Sequence, residues 1–90
     1  GDSILGKDVN LGAGCKLSNL RNDGRSVLVR GLDEGVVDSG LRKFGAILGD
    51  GVAIGCNVVT NPGVIIGKNS NIWPNLNVSG VFGANSTIEE

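Results

Sequence analysis

The chain has 90 residues, 16 of them glycine, and its 8 Lys+Arg nearly balance 9 Asp+Glu. That length holds one small domain, the balanced charge offers no basic field for nucleic acid, and no apolar run approaches the ~20 residues that span a bilayer. Two cysteines are too few for a disulfide scaffold and no signal peptide is visible, so a reduced, cytoplasmic protein is expected.

The first element is a short periodic block. Leu5-Gly6 and Leu11-Gly12 are six residues apart, and Leu17 keeps the phase. Val9 and Cys15 stand two positions ahead of Leu11 and Leu17. Each hexad reads as a very short strand with two inward side chains, followed by a turn.

The phase then breaks. Residues from about 19 to 45 do not fit sixes, and the step from Leu17 to Leu48 is no multiple of six. Within the break lies "SVLVRGLDEGVVDSG", where 26–30 and 36–38 have strand composition and flank a Gly-bearing turn at 31–35. A β-hairpin arm projecting from the regular part is predicted, and an insertion of this length in a solenoid commonly carries function.

After the break the hexads resume with Leu48-Gly49, Ile54-Gly55 and Ile66-Gly67, with Thr60, Ile72 and Val78 in phase. Val52, Val58, Val64, Ser70 and Leu76 occupy the companion inward position. The glycines at 49, 51 and 55 do not make a dinucleotide fingerprint. The third falls one place late, and no strand-to-helix context surrounds them. The hexads account for them instead, as coils of a parallel β-helix. Gly51, Asn57, Gly63 and Asn69 are expected at corners, where positive φ is needed. Leu11, Ile54, Ile66 and Ile72 are expected in the core. The predicted fold is all-β: a single-stranded left-handed parallel β-helix over 1–90, with an inserted hairpin and almost no helix. Gly1 begins part-way through a hexad and "STIEE" ends without a cap, so a piece of a longer protein is expected.

Outward positions are mostly polar: Asn10, Lys16, Asn71 and Asn77. Ala53, Val59 and Ile65 are the apolar exceptions, and three-fold assembly would cover such residues. A homotrimer is predicted, with Val59 or Ile65 losing exposure.

Two segments, "GDSILGKDVNLGAGCKLSNLR" and "GLRKFGAILGDGVAIGCNVVTNPGVIIGKNS", resemble the C-terminal β-helix of sugar-phosphate nucleotidyltransferases. The resemblance is to the bifunctional N-acetylglucosamine-1-phosphate uridyltransferase/glucosamine-1-phosphate acetyltransferase group. It implies a trimer with sites between subunits, an amino-sugar phosphate as substrate and acetyl-CoA as co-substrate, with no metal required in this domain. Carried over by motif, Asn19 lies beside the sugar and Lys43 faces sugar and phosphate, with Arg21 and Arg42 as weaker substrate-binding candidates. Ala13, Cys56 and Pro74 fall at the positions lining acetyl-CoA. The resemblance also implies a histidine general base. This chain has no histidine, so that base is expected upstream of Gly1 and the 90 residues alone are expected to be inactive. Without a histidine nothing activates Cys56 as a nucleophile, and it reads as a small packed thiol. A non-catalytic trimerising or regulatory β-helix of a nucleotidyltransferase is the alternative function, and a purely structural solenoid a third. Glucosamine and galactosamine are not distinguished.

Overall fold

The computed structural model describes residues 2–30 and 36–89. No described residue is helical. The first coil consists of β1 (Ile4–Leu5), β2 (Asn10–Leu11) and β3 (Lys16–Leu17). The insertion contributes β4 (Leu28–Arg30) and β5 (Val36–Asp38). The second coil is β6 (Ile47–Leu48), β7 (Ala53–Ile54) and β8 (Val59–Thr60); the third is β9 (Ile65–Ile66), β10 (Asn71–Ile72) and β11 (Asn77–Val78). A last partial coil holds β12 (Val81–Phe82) and β13 (Thr87–Ile88).

These two-residue strands stack in parallel into three faces. The first face runs β1-β6-β9-β12, the second β2-β7-β10-β13 and the third β3-β8-β11. Ile47 stands opposite Ile65, Ala53 opposite Asn71 and Val59 opposite Asn77, each three hexads on. This is the left-handed β-helix predicted from the hexads. The inter-coil ladder satisfies the backbone: Ile47 N–H donates to the Val64 carbonyl at 2.9 Å, Gly55 N–H to that of Ile72 at 2.8 Å.

The second residue of each strand points inward. Leu48, Ile54, Thr60, Ile66, Ile72 and Val78 are buried, as are Val52, Val58, Val64 and Ser70 two positions ahead. Leu11 differs from expectation: it is 37% exposed, against 3% for Ile54 directly above it. Strand β2 has a strand partner on one side only, so no further coil covers Leu11 from below; Val78 of β11, also an end strand, is only 3% exposed.

Corners carry left-handed residues two positions before most of the coil strands, though not before β6 or β12. Gly51, Asn57, Gly63 and Asn69 all have positive φ, as expected from their types. The glycine after the inward residue has a different cause. A Cβ on Gly55 would lie 2.6 Å from the Pro74 nitrogen, because the next coil passes directly against it. Side chains are excluded there by contact, not by φ.

The insertion folds as an antiparallel hairpin, with Val29 opposite Val37 and Leu28 opposite Asp38. Strand β4 is shorter than the predicted 26–30, and the turn at 31–35 lies outside the described residues. Val27, fully buried, pins the hairpin base to the coil. A Cβ on Gly63 (φ +86) would fall 2.9 Å from a Val27 methyl, so both backbone conformation and contact require glycine there. The Asp38 carboxylate accepts from Gly40 N–H at 2.8 Å and from Ser26 Oγ at 3.2 Å. The Gly40 amide, then the Ser26 hydroxyl, hold this carboxyl below the usual carboxylate value of 3.8.

Three outcomes follow from this packing. Ile54→Ala is expected to lose about 2–5 kcal/mol in urea unfolding, and Leu11→Ala distinctly less, because only the former opens an enclosed cavity. Thr60 is wholly buried between Leu17 and Val78, and its hydroxyl has no hydrogen-bond partner among the described residues. Thr60→Val should therefore raise stability by about 1 kcal/mol in the same measurement. The depressed Asp38 carboxyl stabilises the hairpin base above its unfolded value, and that contribution is lost as pH falls through the folded value. The Gly40 amide proton, followed by NMR, should shift with a midpoint below 3.8 in the wild type and show no such step in Asp38→Asn.

Candidate functional site

The insertion leaves the coil at the corner between the third and first faces and returns to the same corner. Its two ends close as an antiparallel pair. Leu20 bridges Lys43, and Phe44 N–H donates to the Asn19 carbonyl at 2.9 Å. Asn19 and Lys43, 24 positions apart in sequence by their numbers, are thereby brought onto adjacent segments. The Asn19 side-chain amide donates to Asp2 Oδ2 at 2.8 Å, which orients it.

The four cationic and amide candidates are not equivalent. Arg21 is engaged twice: Nη1 donates to the Ser26 carbonyl at 3.2 Å and Nη2 pairs with Asp23 at 2.6 Å. The Asp23 carboxyl is held low first by the Arg25 amide, with the charge of Arg21 adding to it, so Arg21 is largely neutralised where it stands. Arg42 Nε donates to the Gly24 carbonyl at 3.2 Å and braces the loop that follows Arg21. Lys43 is exposed and makes no ion pair or side-chain hydrogen bond among the described residues. Of the cations predicted for an anionic ligand, Arg21 is thus the one already paired with a carboxylate, Arg42 keeps its charge while bracing the loop, and Lys43 has the head group with no partner among the described residues.

A groove of about 540 Å³ separates the insertion from the coil. Arg21, Asn22, Asp23, Leu28 and Val36 form one wall; Asn61, Pro62 and Ser79 form the other. Asn61 Nδ2 ties the second wall together, donating to the Val78 carbonyl at 3.0 Å and to Ser79 Oγ at 2.7 Å. Asn19, Arg42 and Lys43 lie outside this groove. The Asn-Pro-Gly turn at 61–63 was its only trace in the sequence.

Ala13, Cys56 and Pro74 are on a different corner, between the second and third faces. Leu11, Ile54 and Ile72 are paired in register, so the residues two positions beyond them stack one above another. Asn57 N–H donates to the Ala13 carbonyl and Asn75 N–H to the Cys56 carbonyl, both at 2.9 Å. All three side chains are exposed, and the column forms a straight, narrow rail of small groups. Cys56 is therefore not the packed thiol expected from the sequence; a residue two places past the inward Ile54 points away from the core. Cys15, in the inward register, is the packed one, with Sγ 2.9 Å from the Gly55 carbonyl. The rail ends at Trp73, which is 50% exposed and which the sequence reading passed over. Its signal was an aromatic standing where Gly12 and Gly55 stand in the earlier coils.

One chain therefore brings Asn19 and Lys43 together on one edge and Ala13, Cys56 and Pro74 together on another, and does not join the two groups. Among the described residues, no cluster of three or more His, Cys, Asp or Glu is arranged to hold a metal ion.

Comparison with known proteins agrees with this architecture. The family model for "Bacterial transferase hexapeptide (six repeats)" matches residues 45–80. The chain is 45% identical over 74 residues to the bifunctional sugar-1-phosphate nucleotidylyltransferase/acetyltransferase of Sulfurisphaera tokodaii, which is 82% of this chain and 18% of that protein. It is 45% identical over 75 residues to the bifunctional protein GlmU of Methanococcus aeolicus, again 18% of the relative. With GlmU of Methanococcus maripaludis strain C7 the match is 40% over 88 residues, 98% of this chain and 21% of the relative. The chain thus spans about a fifth of the length of the curated relatives it matches. Hexads, coil geometry and these matches together identify the chain as a left-handed β-helix of hexapeptide repeats that is similar to part of the bifunctional sugar-1-phosphate nucleotidylyltransferase/acetyltransferases.

Proposed function

We propose that this β-helix binds an amino-sugar 1-phosphate and acetyl-CoA for N-acetylation in nucleotide-sugar synthesis, and that it works as a homotrimer. The observation that carries the reading is Lys43, without an ion-pair partner among the described residues, beside the oriented Asn19 at the closed base of the insertion. An ammonium free of carboxylates suits a phosphate or a sugar hydroxyl, and the Asn19 amide suits the sugar's polar edge. The rail of Ala13, Cys56 and Pro74 suits a long, thin ligand lying against backbone and small side chains.

A cyclic trimer brings the two groups together. The outward residues of the first face are Ile4, Ile47, Ile65 and Val81, in register on successive coils. On the second face the outward residues are Asn10, Ala53, Asn71 and Thr87. In a head-to-tail ring the first face of one subunit packs on the second face of the next. The corner shared by those two faces then lies at the axis. At the outer rim of every interface, the insertion of one subunit meets the rail of its neighbour. The aliphatic ladder supports this packing, since an exposed strip of that kind has no use on a monomer.

Acetyl transfer requires a base to take the proton from the amine as nitrogen attacks the thioester carbonyl. With no histidine among the 90 residues, that base comes from outside them. Within them, Lys43 and Asn19 hold the amino sugar and the rail holds the acetyl donor.

The 90-residue protein is expected to bind acetyl-CoA by calorimetry while turning over neither acetyl-CoA with glucosamine 1-phosphate nor a uridine nucleotide. Rapid acetylation by it would overturn the assignment of the base. In a chain extended at its N-terminus to include that base, Lys43→Ala should raise the KM for the amino-sugar phosphate roughly ten- to hundredfold and leave acetyl-CoA affinity unchanged. Equal losses for both substrates would remove Lys43 from the sugar site. In light scattering, Ile47→Asp with Ile65→Asp should yield monomers, whereas Val59→Asp, on the third face, should leave a trimer. A trimer that survives the double change would show that the first face is not the interface.

A further inference from the structure

The hairpin arm has two faces. Leu28 stands opposite Asp38 and Arg30 opposite Val36, so Leu28 and Val36 share one face, and Val29 and Val37 share the other. Leu28 and Val36 line the groove against Asn61, Pro62 and Ser79, where the coil leaves its third face. Val29 and Val37 are therefore turned away from the third face, toward the side of the first, and Val37 is 52% exposed there. On the opposite edge Trp73, the only tryptophan of the chain, is 50% exposed. Coil geometry does not call for an indole. In the two preceding coils the same position is glycine, and the corner closes without a side chain. An exposed indole contributes nothing to the inward column, so its use lies on the outer surface.

Height along the coil axis joins the two. The arm crosses outside the corner that enters the third coil: a Cβ on Gly63 would lie 2.5 Å from the Leu28 carbonyl oxygen, and Gly63 leads into β9. Trp73 follows β10 of that same coil. Cyclic symmetry about an axis along the coils turns a subunit without raising it, so the arm of one copy stands at the height of Trp73 on the next. The edges that bear them are the two that meet at the rim of the proposed ring. Within one chain they lie on either side of the third face, and Val37 is turned away from it. Resting on the trimer reading above, we propose that the outward face of the arm, Val29 and Val37, docks on Trp73 of the neighbouring copy. The contact covers apolar groups that a single chain leaves open. It also ties the segment that bears Asn19 and Lys43 to the neighbour's rail, and so sets the spacing between the two ends of the candidate site.

The test follows the emission of this single tryptophan and its quenching by acrylamide, beside light scattering on the same samples. In the wild-type trimer, emission is expected at shorter wavelength and quenching severalfold weaker than in the monomeric Ile47→Asp, Ile65→Asp variant. Val37→Ser should move the emission of the trimer to longer wavelength and restore quenching. It should also raise the concentration at which half the trimer dissociates by about tenfold or more, the effect of losing one buried valine at each contact. Val36→Ser, on the groove face of the same arm, should change neither reading. A trimer whose Trp73 is as quenchable as that of the monomeric variant would overturn the docking contact and leave the trimer in place. Equal effects of Val36→Ser and Val37→Ser would likewise overturn the assignment to the outward face. A wild type that is monomeric in light scattering would overturn both the contact and the trimer.

Discussion

Everything in this fold depends on the hydrogen-bonded register between one coil and the next. Strands of two residues have almost no stability by themselves. They persist because each donates to and accepts from its counterparts on neighbouring coils, as Gly49 N–H does to the Ile66 carbonyl and Gly67 N–H to that of Phe82. The ladder spacing brings coils so close that a Cβ at Gly49 or Gly55 would meet the backbone of the coil above. It also places like on like in the interior, so that Leu48 lies on Ile66 and Ile54 on Ile72. Burial in such a column depends on neighbouring coils and not on residue type alone, so the same kind of side chain is sealed at Ile54 and partly open at Leu11 on the first coil.

The register also limits where a departure from six can occur. An insertion is tolerated only if it returns to the corner it left, and Asn19 with Phe44 and Leu20 with Lys43 accomplish that return. The cost of interrupting the coil is offset by burying Val27 against the Gly63 corner. The same closure sets Lys43 beside Asn19, so the requirement that keeps the coil intact also builds the polar end of the candidate site. A second departure, the shortened corner before β12, pairs Ile65 with Val81 two residues short of three hexads and leaves the faces aligned.

Because every residue repeats along the axis, chemistry in this protein is arranged by edge and by face. One edge bears the insertion with the Lys43 ammonium, unpaired among the described residues. Another bears exposed small side chains and the single indole. One face bears the aliphatic ladder. A lone coil stack cannot bring the two edges together, since they lie on either side of the third face, whereas a ring of copies can. On the function proposed above, the two edges work together only in an assembly.

The hexads by themselves determined the coil, the inward positions, the left-handed corners and the existence of a hairpin arm. Period and residue type are local properties, and a two-residue strand with an inward aliphatic is recognisable without knowing what it rests on. The tertiary structure alone decided which hexads share a face. Ala53, Val59 and Ile65 read as three apolar exceptions in the sequence, and they stand on three different faces; Ile65 pairs with Ile47 and Val81, and Ile47 in turn with Ile4. That ladder is invisible in sequence because an insertion and a shortened corner shift the count between its members. Likewise Arg21 and Lys43 look alike as cations, and only the folded loop shows Asp23 occupying the first, while the second has no ion-pair partner among the described residues. Cys56 and Trp73 owe their outward placement to position on a corner, where side-chain direction follows from how the chain turns and not from what the side chain is.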